Sequence, residues 1–409
     1  MRDYSVLRKD IISNSTELYV MVLSLLVLTS VLQRNVFFSN SELFVKTANA
    51  FEVVIYFILV VIIVKKDYSI KVLIASALLA LILLVGFLKS GMAVYFRALL
   101  LIIASRKINF DKILKAILFS TFLAIFISTF FYVLGLAPDS VSIWHFEGYG
   151  FGFGGGNSLG ELLCLCNMII CYLKVKRKQS INFFIEIICT VAIYLVTTSK
   201  TATFIFAFTP VLIVVFDKVL KKKHTTFLRF LIYLVNPILF VFSYGSAKLF
   251  LSNSIVQKMD EILTNRFFLN HYALSKYGLA LFGQKVFLHD TGVYNPVRGI
   301  GNITVTVDNA YVLSLISMGI IPTLVFIFGY YLIIRKALKE KNYALCAVAV
   351  LLCLYGFTEV KTIEVYDNFV YLSLLTCTSP PFENTYSQDT NSDAIEINDL
   401  RKKKVIYDS

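Results

Sequence analysis

The sequence predicts an all-α fold: a polytopic membrane helix bundle of about twelve transmembrane helices, with a large external loop that contains amphipathic helices. Two observations predict it. Of 409 residues, 57% are hydrophobic and 16% charged, and the mean hydropathy is +0.74; this leaves too little polar material to cover a soluble protein of this length. Lysine and arginine also cluster in every second gap between the apolar segments, as the positive-inside rule requires.

Each predicted span is an apolar run close to the length that crosses a bilayer, bounded by polar or basic residues. In chain order the spans are residues 17–37, 44–64, 72–88, 90–105, 113–136, 157–174, 183–199, 200–217, 228–247, 309–334, 343–358 and 364–379. We therefore expect one transmembrane bundle over residues 1–379. The polar residues 380–409 predict a disordered tail.

The basic residues predict the orientation of the bundle. Of 39 lysines and arginines, 27 fall on the side that holds both termini, and 11 fall on the other side. Six of those 11 belong to the long loop 248–308, and Arg97 lies within a span. Because cytoplasmic loops carry the excess of lysine and arginine, both termini and the tail are expected in the cytoplasm, and the long loop outside.

Several classes of protein are disfavoured. The net charge of +13 does not indicate a nucleic-acid-binding protein, because the charges lie in short gaps and form no patch with interleaved aromatic residues. All seven cysteines lie in apolar stretches, and the pairs His145/Glu147 and His289/Asp290 lack further ligands, so no metal site is expected. The glycine-rich stretch 148–156 follows no strand, which disfavours nucleotide binding. Its aromatic residues suit sugar rings, and no cofactor is predicted.

The long loop 248–308 predicts helices of its own. Ser254 to Gln257 has the spacing of a capping box, followed by apolar residues at helical intervals: Ile255, Met259, Ile262 and Leu263. This pattern predicts an amphipathic helix against the membrane face. A second helical segment, 267–277, ends at Gly278, and a turn-rich stretch follows at 289–296. Two surface helices over a bundle predict a lid or an acceptor platform.

Two cations near the bundle are candidates for function. Arg97 lies too deep in its span to reach the outer surface easily, which favours a place in an aqueous cavity. The alternative is a structural ion pair with Glu52 or Glu161. Lys200 lies in a turn of hydroxyl residues, 197–201, which suits an anion; alternatively it is an ordinary lysine at the membrane interface.

Three residues of the long loop complete the candidate site. Arg266 follows Leu263 at helical spacing, so we expect it on the same membrane-facing side, within reach of a lipid phosphate. Arg298, between Pro296 and Gly299, is a further candidate. Asp308 stands at the entrance of the tenth span, where it could take a proton from a hydroxyl or cap the helix that begins at Ala310.

Four stretches resemble the O-antigen and capsular polysaccharide polymerase/ligase family, the Wzy-type polymerases. Gly150-Phe-Gly-Phe-Gly-Gly-Gly-Asn-Ser-Leu-Gly160 is similar to the family's Gly-Phe-x-His-Pro-Asn-x-x-Gly, and Thr198-Ser-Lys-Thr201 to its Thr-x-Ser-Arg-Thr turn. Asn265-Arg266 with Tyr277-Gly-Leu-Ala-Leu-Phe-Gly-Gln284 resembles the Arg…Leu-Phe-Gly segment of streptococcal capsule polymerases. Asp308-Asn-Ala-Tyr311 with Gly319-Ile-Ile321 resembles the ligase pattern His-Asn, nine residues, Gly. The order of the four gives the resemblance its specificity.

The resemblance implies an enzyme of the bacterial plasma membrane. It would be a metal-independent glycosyltransferase that joins undecaprenyl-pyrophosphate-linked oligosaccharide repeat units on the outer face of the membrane. Its pathway would be the synthesis of capsule, exopolysaccharide or O-antigen, and a flippase and a chain-length regulator would be further partners. Arg97, Lys200, Arg266 and Arg298 would then bind the pyrophosphate, and Asp308 would orient or deprotonate the acceptor hydroxyl.

Three other classes of protein remain open. A lipid-linked oligosaccharide flippase has a similar size and charge, and it predicts short loops on both faces with charges lining a central cavity. A cell-wall glycosyltransferase of the shape-and-division type also has a large external loop. A channel or receptor has only the number of spans in its favour.

Overall fold

The computed structural model describes residues 4–139, 148–222, 224–287 and 290–377. It is 73% helical, and within the described residues eight helices are long and apolar enough to cross a membrane. The prediction of an all-α membrane bundle is therefore confirmed. The predicted tail 380–409 and the residues His145, Glu147 and His289 lie outside the described ranges.

In the first part of the chain, the described residues up to Leu249 contain ten helices. They are α1 (Tyr4–Leu32), α2 (Val36–Asn40), α3 (Glu42–Val64), α4 (Ile70–Ser90), α5 (Val94–Ala104), α6 (Phe110–Val133), α7 (Gly156–Lys176), α8 (Phe183–Thr197), α9 (Lys200–Val219) and α10 (Thr226–Leu249). From α3 to α10 each helix coincides with a predicted span, with ends a few residues apart. Asparagine side chains cap several of them: Asn109, for example, accepts the Asp111 N–H at the start of α6.

The second part is less regular. It contains α11 (Ser254–Ile262), α12 (Arg266–Tyr277), strands β1 (Asp290–Asn295) and β2 (Ile300–Val305), α13 (Ala310–Leu313), α14 (Ile320–Lys339), α15 (Tyr343–Gly356) and two 3₁₀ turns, Val360–Ile363 and Phe369–Leu374. The eight long apolar helices are the segment Ser15–Leu32 of α1 together with α3, α4, α6, α7, α9, α10 and α14; α5, α8 and α15 are apolar but shorter.

The predicted tenth span, 309–334, is not one helix. The chain forms α13, then a π-helical turn over Ser314–Met318, and breaks at Gly319 before α14 begins. The break exists because residues 280–284 bond to the helix backbone there: the Ile320 N–H donates to the Ala280 carbonyl at 2.9 Å, and the Gln284 N–H donates to the Ser317 carbonyl at 2.9 Å. A Cβ on Gly283 or Gly319 would overlap the other segment.

The predicted last span, 364–379, is not α-helical over its described part. Residues 360–377 contain two 3₁₀ turns joined by a further turn at 364–368, and Phe369, Val370 and Leu372 are fully buried. Irregular backbone needs polar partners when it is buried in a bundle, and here side chains supply them. The Lys336 Nζ donates to the carbonyls of Ser373, Leu374 and Thr376 at 2.5, 3.3 and 2.7 Å.

The segment between α10 and α13 carries both predicted helices. Helix α11 begins at Ser254 as predicted, but its cap is Asn253, whose side chain accepts the N–H groups of Ile255 and Val256. The turn-rich stretch is a β-hairpin, with β1 antiparallel to β2. Predicting it as turns was wrong, because its Gly, Asn and Pro residues fall within and beside paired strands. We call α11, α12 and this hairpin the insert.

Segments between predicted spans that the charge pattern assigns to the same side of the membrane are linked by hydrogen bonds and ion pairs. These contacts form two separate groups, one at each end of the bundle. At one end, Arg34 pairs with Asp367, and Arg266 bonds to Thr201. At the opposite end the Lys66 Nζ donates to the Ala104 carbonyl at 2.6 Å, and further contacts there are Lys176 to Asp111, Lys112 to Glu17 and Lys107 to Leu375. We call these the cavity end and the lysine end.

Candidate functional site

The cavity end contains a polar cavity of about 540 Å³, formed by the end of α1, by α3, α5 and α7, and by residues 360–366. Its size lies within the range of about 300–1,000 Å³ that holds small ligands. Its lining combines cations, carboxylates, amides and a phenol: Gln33, Arg34, Asn49, Glu52, Arg97, Lys361, Glu364 and Tyr366. Such a set can donate to and accept from a ligand rich in hydroxyl groups.

Arg97 lines this cavity and is also ion-paired. Its Nη1 lies 3.0 Å from Glu52 Oε1 and 3.5 Å from Glu364 Oε2, and it donates to the Tyr366 hydroxyl at 3.5 Å. The side chain is 13% exposed. Arg97 therefore lines the cavity and also forms the ion pair considered from the sequence, with Glu52 as its partner. Glu161, the other partner considered, pairs with Arg34.

Arg34 is the centre of the most buried charge cluster. Its Nη2 pairs with Asp367, and its Nη1 lies 3.9 Å from Glu161 Oε2. The three side chains are exposed by 10% or less. Within the described part of the chain, Arg34 Nη1 and Glu161 Oε1 are buried without a hydrogen-bond partner. Sequence reasoning missed Arg34, because an arginine directly after an apolar helix is ordinary and only the fold shows that this one is buried.

The prediction that Arg266 shares the membrane-facing side of Ile262 and Leu263 on one helix was wrong, because α11 ends at Ile262. Asn265 has a φ of +68°, which turns the chain, and the Asp260 carboxylate accepts the Phe267 N–H at 2.7 Å. Arg266 consequently begins a new helix, α12, whose residues Phe267 to Asn270 are buried. Its Nη2 donates to Glu359 Oε1 at 3.1 Å, and its Nη1 donates to Thr201 Oγ1 at 3.4 Å.

The remaining two predicted cations lie in different places. Lys200 is the first residue of α9 and is exposed. Its neighbour Thr201 accepts a hydrogen bond from Arg266, so Lys200 lies close to the Arg266 side chain. Arg298 is half-buried in the hairpin turn and acts electrostatically on Asp260 of α11. Of the four predicted cations, Arg97 therefore lines the cavity, Arg266 and Lys200 lie beside Thr201, and Arg298 lies in the hairpin.

Asp308 lies close enough to Arg266 to interact with its charge. The interpretation of Asp308 as a helix cap was wrong, because Asn309 caps α13 by accepting the Val312 N–H at 3.0 Å. Burial raises the pKa of Asp308 above its ordinary value, while Arg266 and a hydrogen bond with Thr306 act in the opposite direction. Its carboxylate is thus held close to a guanidinium without capping a helix.

Glu359 is the second carboxylate of this group, and sequence reasoning missed it. It lies between α15 and the first 3₁₀ turn, and its side chain is 17% exposed. Burial raises the pKa of Glu359 to about 7; Asp308 adds to the increase, and Arg266 opposes it. A carboxyl group with such a pKa can exchange a proton near neutral pH. We call Arg266, Glu359, Asp308 and Thr201 the Arg266 cluster.

Electrostatic contacts connect the cavity with the Arg266 cluster. Glu161 interacts with Arg34 and Asp367 on the cavity side and with Glu359 on the other side. Charged groups thus extend from Arg97 to Asp308 through the cavity end, and Glu161 and Glu359 are the two neighbouring acids that link the cavity to the Arg266 cluster. Among the described residues, no three His, Cys, Asp or Glu side chains are arranged as metal ligands.

The glycine-rich stretch folds around a carboxylate. Asp139 accepts the backbone N–H groups of Gly150, Phe151 and Gly152 at 2.9, 3.2 and 3.0 Å. Gly152 has a φ of +90°, and a Cβ there would press against Asn35 and the Ser128 carbonyl. The loop is therefore held to Asp139 by its own backbone donors, and the Gly152 carbonyl accepts the Val36 N–H at 2.8 Å.

No family model, curated protein or solved structure matches this chain. The fold and the site together define a class: a polytopic all-α membrane protein with a polar, charged cavity at one end of its bundle.

Proposed function

We propose that this protein is a polymerase of lipid-linked oligosaccharides. It would join undecaprenyl-pyrophosphate-linked repeat units on the outer face of the bacterial plasma membrane, in the synthesis of capsule, exopolysaccharide or O-antigen. The observation that carries the proposal is the polar cavity at the bundle end where the insert packs, with the Arg266 cluster connecting insert and cavity.

The orientation is part of the proposal. Eleven helices and the buried segment 360–377 would make twelve crossings and leave both termini in the cytoplasm. The lysine end would then face the cytoplasm, as the excess of lysine and arginine favours. The cavity end would face outward, where both lipid-linked substrates lie.

The groups at the cavity end suit different parts of the substrates. The cavity offers donors and acceptors in close alternation, which fits sugar hydroxyls, and we assign Arg97 to this glycan site. A pyrophosphate leaving group gains charge during transfer, and fixed cations stabilise that charge. We assign this role to Lys200 and Arg266, because Arg266 donates to Thr201, the neighbour of Lys200; Arg298 remains a predicted further contact. Asp308 would orient or deprotonate the acceptor hydroxyl.

Deletion of the gene followed by analysis of surface glycan tests the proposal. Loss of a polymerase leaves single repeat units on the cell surface or on the outward-facing lipid. Arg266→Ala should abolish long chains and Asp308→Asn should reduce them, while Lys258→Ala, which changes an exposed cation of α11, should leave them unchanged. Polymer of full length from both site variants would contradict the site assignment.

A flippase for the same lipid-linked units is a second candidate, and one observation favours it. Arg34, Arg97 and the carboxylates Glu52 and Glu364 line a cavity at one end of the bundle, and charges that line a cavity are typical of a transporter. In the deletion strain, loss of a flippase leaves the repeat units on the cytoplasmic side. The location of the accumulated units therefore separates the two functions.

A further inference from the structure

Glu359 lies where three parts of the chain meet. It follows α15 and directly precedes Val360 and Lys361, which line the cavity. Its carboxylate accepts a hydrogen bond from Arg266 of the insert. The side chain is 17% exposed, so a substrate can reach it although most of it is dehydrated. Glu359 is therefore placed between the cavity and the groups assigned to the pyrophosphate.

The hydrogen bonds leave one oxygen of Glu359 open. Within the described residues, the hydrogen bond to its carboxylate comes from the Arg266 Nη2 and uses Oε1. The other terminal nitrogen of that guanidinium, Nη1, donates a hydrogen bond to Thr201. Arg266 thus fixes the orientation of the carboxylate by one oxygen and leaves Oε2 available to a hydroxyl of a bound acceptor.

The two carboxylates of the cluster differ in their surroundings. Asp308 has both Arg266 and a hydrogen bond with Thr306 to stabilise its charge. Glu359 has Arg266 alone, and the neighbouring Asp308 raises its pKa further, to about 7. The remaining titratable groups that face Glu359 belong to α7 and α15: Glu161, Cys164 and Tyr355. Environments that separate two acids in this way distinguish a proton acceptor from its supporting charge.

We propose that Glu359 is the general base of the glycosyl transfer, and that Asp308 is a positioning residue that acts on it through Arg266. The inference rests on the proposed function. The acceptor hydroxyl oxygen forms a bond to the anomeric carbon of the donor sugar, and the bond from that carbon to the pyrophosphate oxygen breaks. The pyrophosphate leaves with the electron pair, and Glu359 takes the hydroxyl proton. No oxidant or co-reactant is required.

Two exposed lysines flank this point. Lys200 adjoins Thr201, and Lys361 follows Glu359 by two positions. Each can approach the leaving pyrophosphate from the open side while Arg266 remains bound to Glu359. The cations that meet the leaving group and the carboxylate that takes the proton thus lie on neighbouring backbone segments.

The test uses the full-length protein purified in detergent, with an undecaprenyl-pyrophosphate-linked repeat unit from the host as substrate. Initial rates of chain growth are measured from about pH 5.5 to about pH 8.5, on both sides of the expected base pKa. The wild-type rate should rise with pH and level off, with a midpoint near 7. Glu359→Gln should lower kcat by at least about 100-fold and remove this rise.

Asp308→Asn tests a property, the pH midpoint of the rate, that a merely structural role of Asp308 would not change. Because Asp308 raises the pKa of Glu359, its neutralisation should move the midpoint to lower pH while a measurable rate remains. The matched control is Glu261→Gln, an exposed glutamate of α11, which should keep the wild-type rate and midpoint. Size-exclusion profiles establish that each variant is folded.

The outcomes separate the inference from the function on which it rests. If the wild-type protein makes no polymer, the proposed function is wrong. If the wild type makes polymer and Glu359→Gln keeps its rate and pH midpoint, the assignment of Glu359 as base is wrong. If Asp308→Asn instead shows the large loss of kcat and no shift of the midpoint, Asp308 is the base and the proposal is overturned.

Discussion

Arg34→Met removes the cation from the most buried charge cluster of the protein. Asp367 and Glu161 would then remain as two carboxylates, with 4% and 5% of their side chains exposed and no guanidinium between them. Removing one partner of a buried ion pair costs about 3–5 kcal/mol, because the other charge stays dehydrated and uncompensated. We expect a loss of this size in the free energy of unfolding.

The same cluster provides the internal check on this magnitude. In the double variant Arg34→Met, Asp367→Asn, the nearest uncompensated carboxylate is gone, so part of the lost stability should return. Two residues in contact couple by about 0.5–3 kcal/mol in such cycles, and a buried pair belongs at the upper end. The free energy of unfolding is measured by titrating the detergent-solubilised protein with SDS and following the helical circular dichroism.

Lys46→Met is the matched control on the same protein. Its ion pair with Glu42 has side chains that are 73% and 81% exposed, and exposed pairs contribute between zero and about 1 kcal/mol. The variant should unfold almost as the wild type does. If Arg34→Met were no more destabilising than Lys46→Met, the buried cluster around Arg34 would not exist as described, and the cavity built on it would be in error.

Three further changes test other parts of the structure. Burial raises the pKa of Glu359 from 4.5 to about 7, so the protonated carboxyl favours the folded state. The free energy of unfolding should therefore fall as pH rises between these values. Glu359→Gln should flatten this dependence on pH in unfolding titrations at several pH values. Gly283→Ala should cost more than the 1–3 kcal/mol of backbone strain alone, whereas Gly245→Ala, where an added Cβ meets no atom within 4 Å, should be tolerated in the same titration. Lys336→Met should cost about 1–3 kcal/mol by leaving buried carbonyl groups unpaired, and the exposed Lys339→Met should change the same quantity by less than about 0.5 kcal/mol.

The helices from α3 to α10 could be predicted because each combines a continuous apolar run with polar or basic flanks. That signal is local, and nothing else in the chain competes with it. The break at Gly319 could not be predicted in the same way, because it depends on residues 280–284, which lie far away in sequence. Residues 364–379 were predicted as a span by composition, yet their described part is not α-helical, and the Lys336 Nζ donates to three of its carbonyls.

The candidate site was only partly visible in the sequence. Arg97 could be selected because a cation deep in an apolar run is costly and so indicates a partner or a cavity. Arg34 and Glu359 lie at the ends of apolar segments, where charged residues are ordinary, and only the fold shows that they are buried. The charge pattern of the chain indicated which inter-helix segments lie on the same side of the membrane, but not which carboxylate pairs with which arginine.

The most direct test of the central claim is reconstitution of the purified protein in lipid vesicles that contain undecaprenyl-pyrophosphate-linked repeat units. Glycan length and free undecaprenyl pyrophosphate are measured together over time. The account predicts chains of several repeat units and release of one undecaprenyl pyrophosphate for each new glycosidic bond. Repeat units that cross the bilayer while every glycan stays one unit long would contradict it and would indicate the flippase.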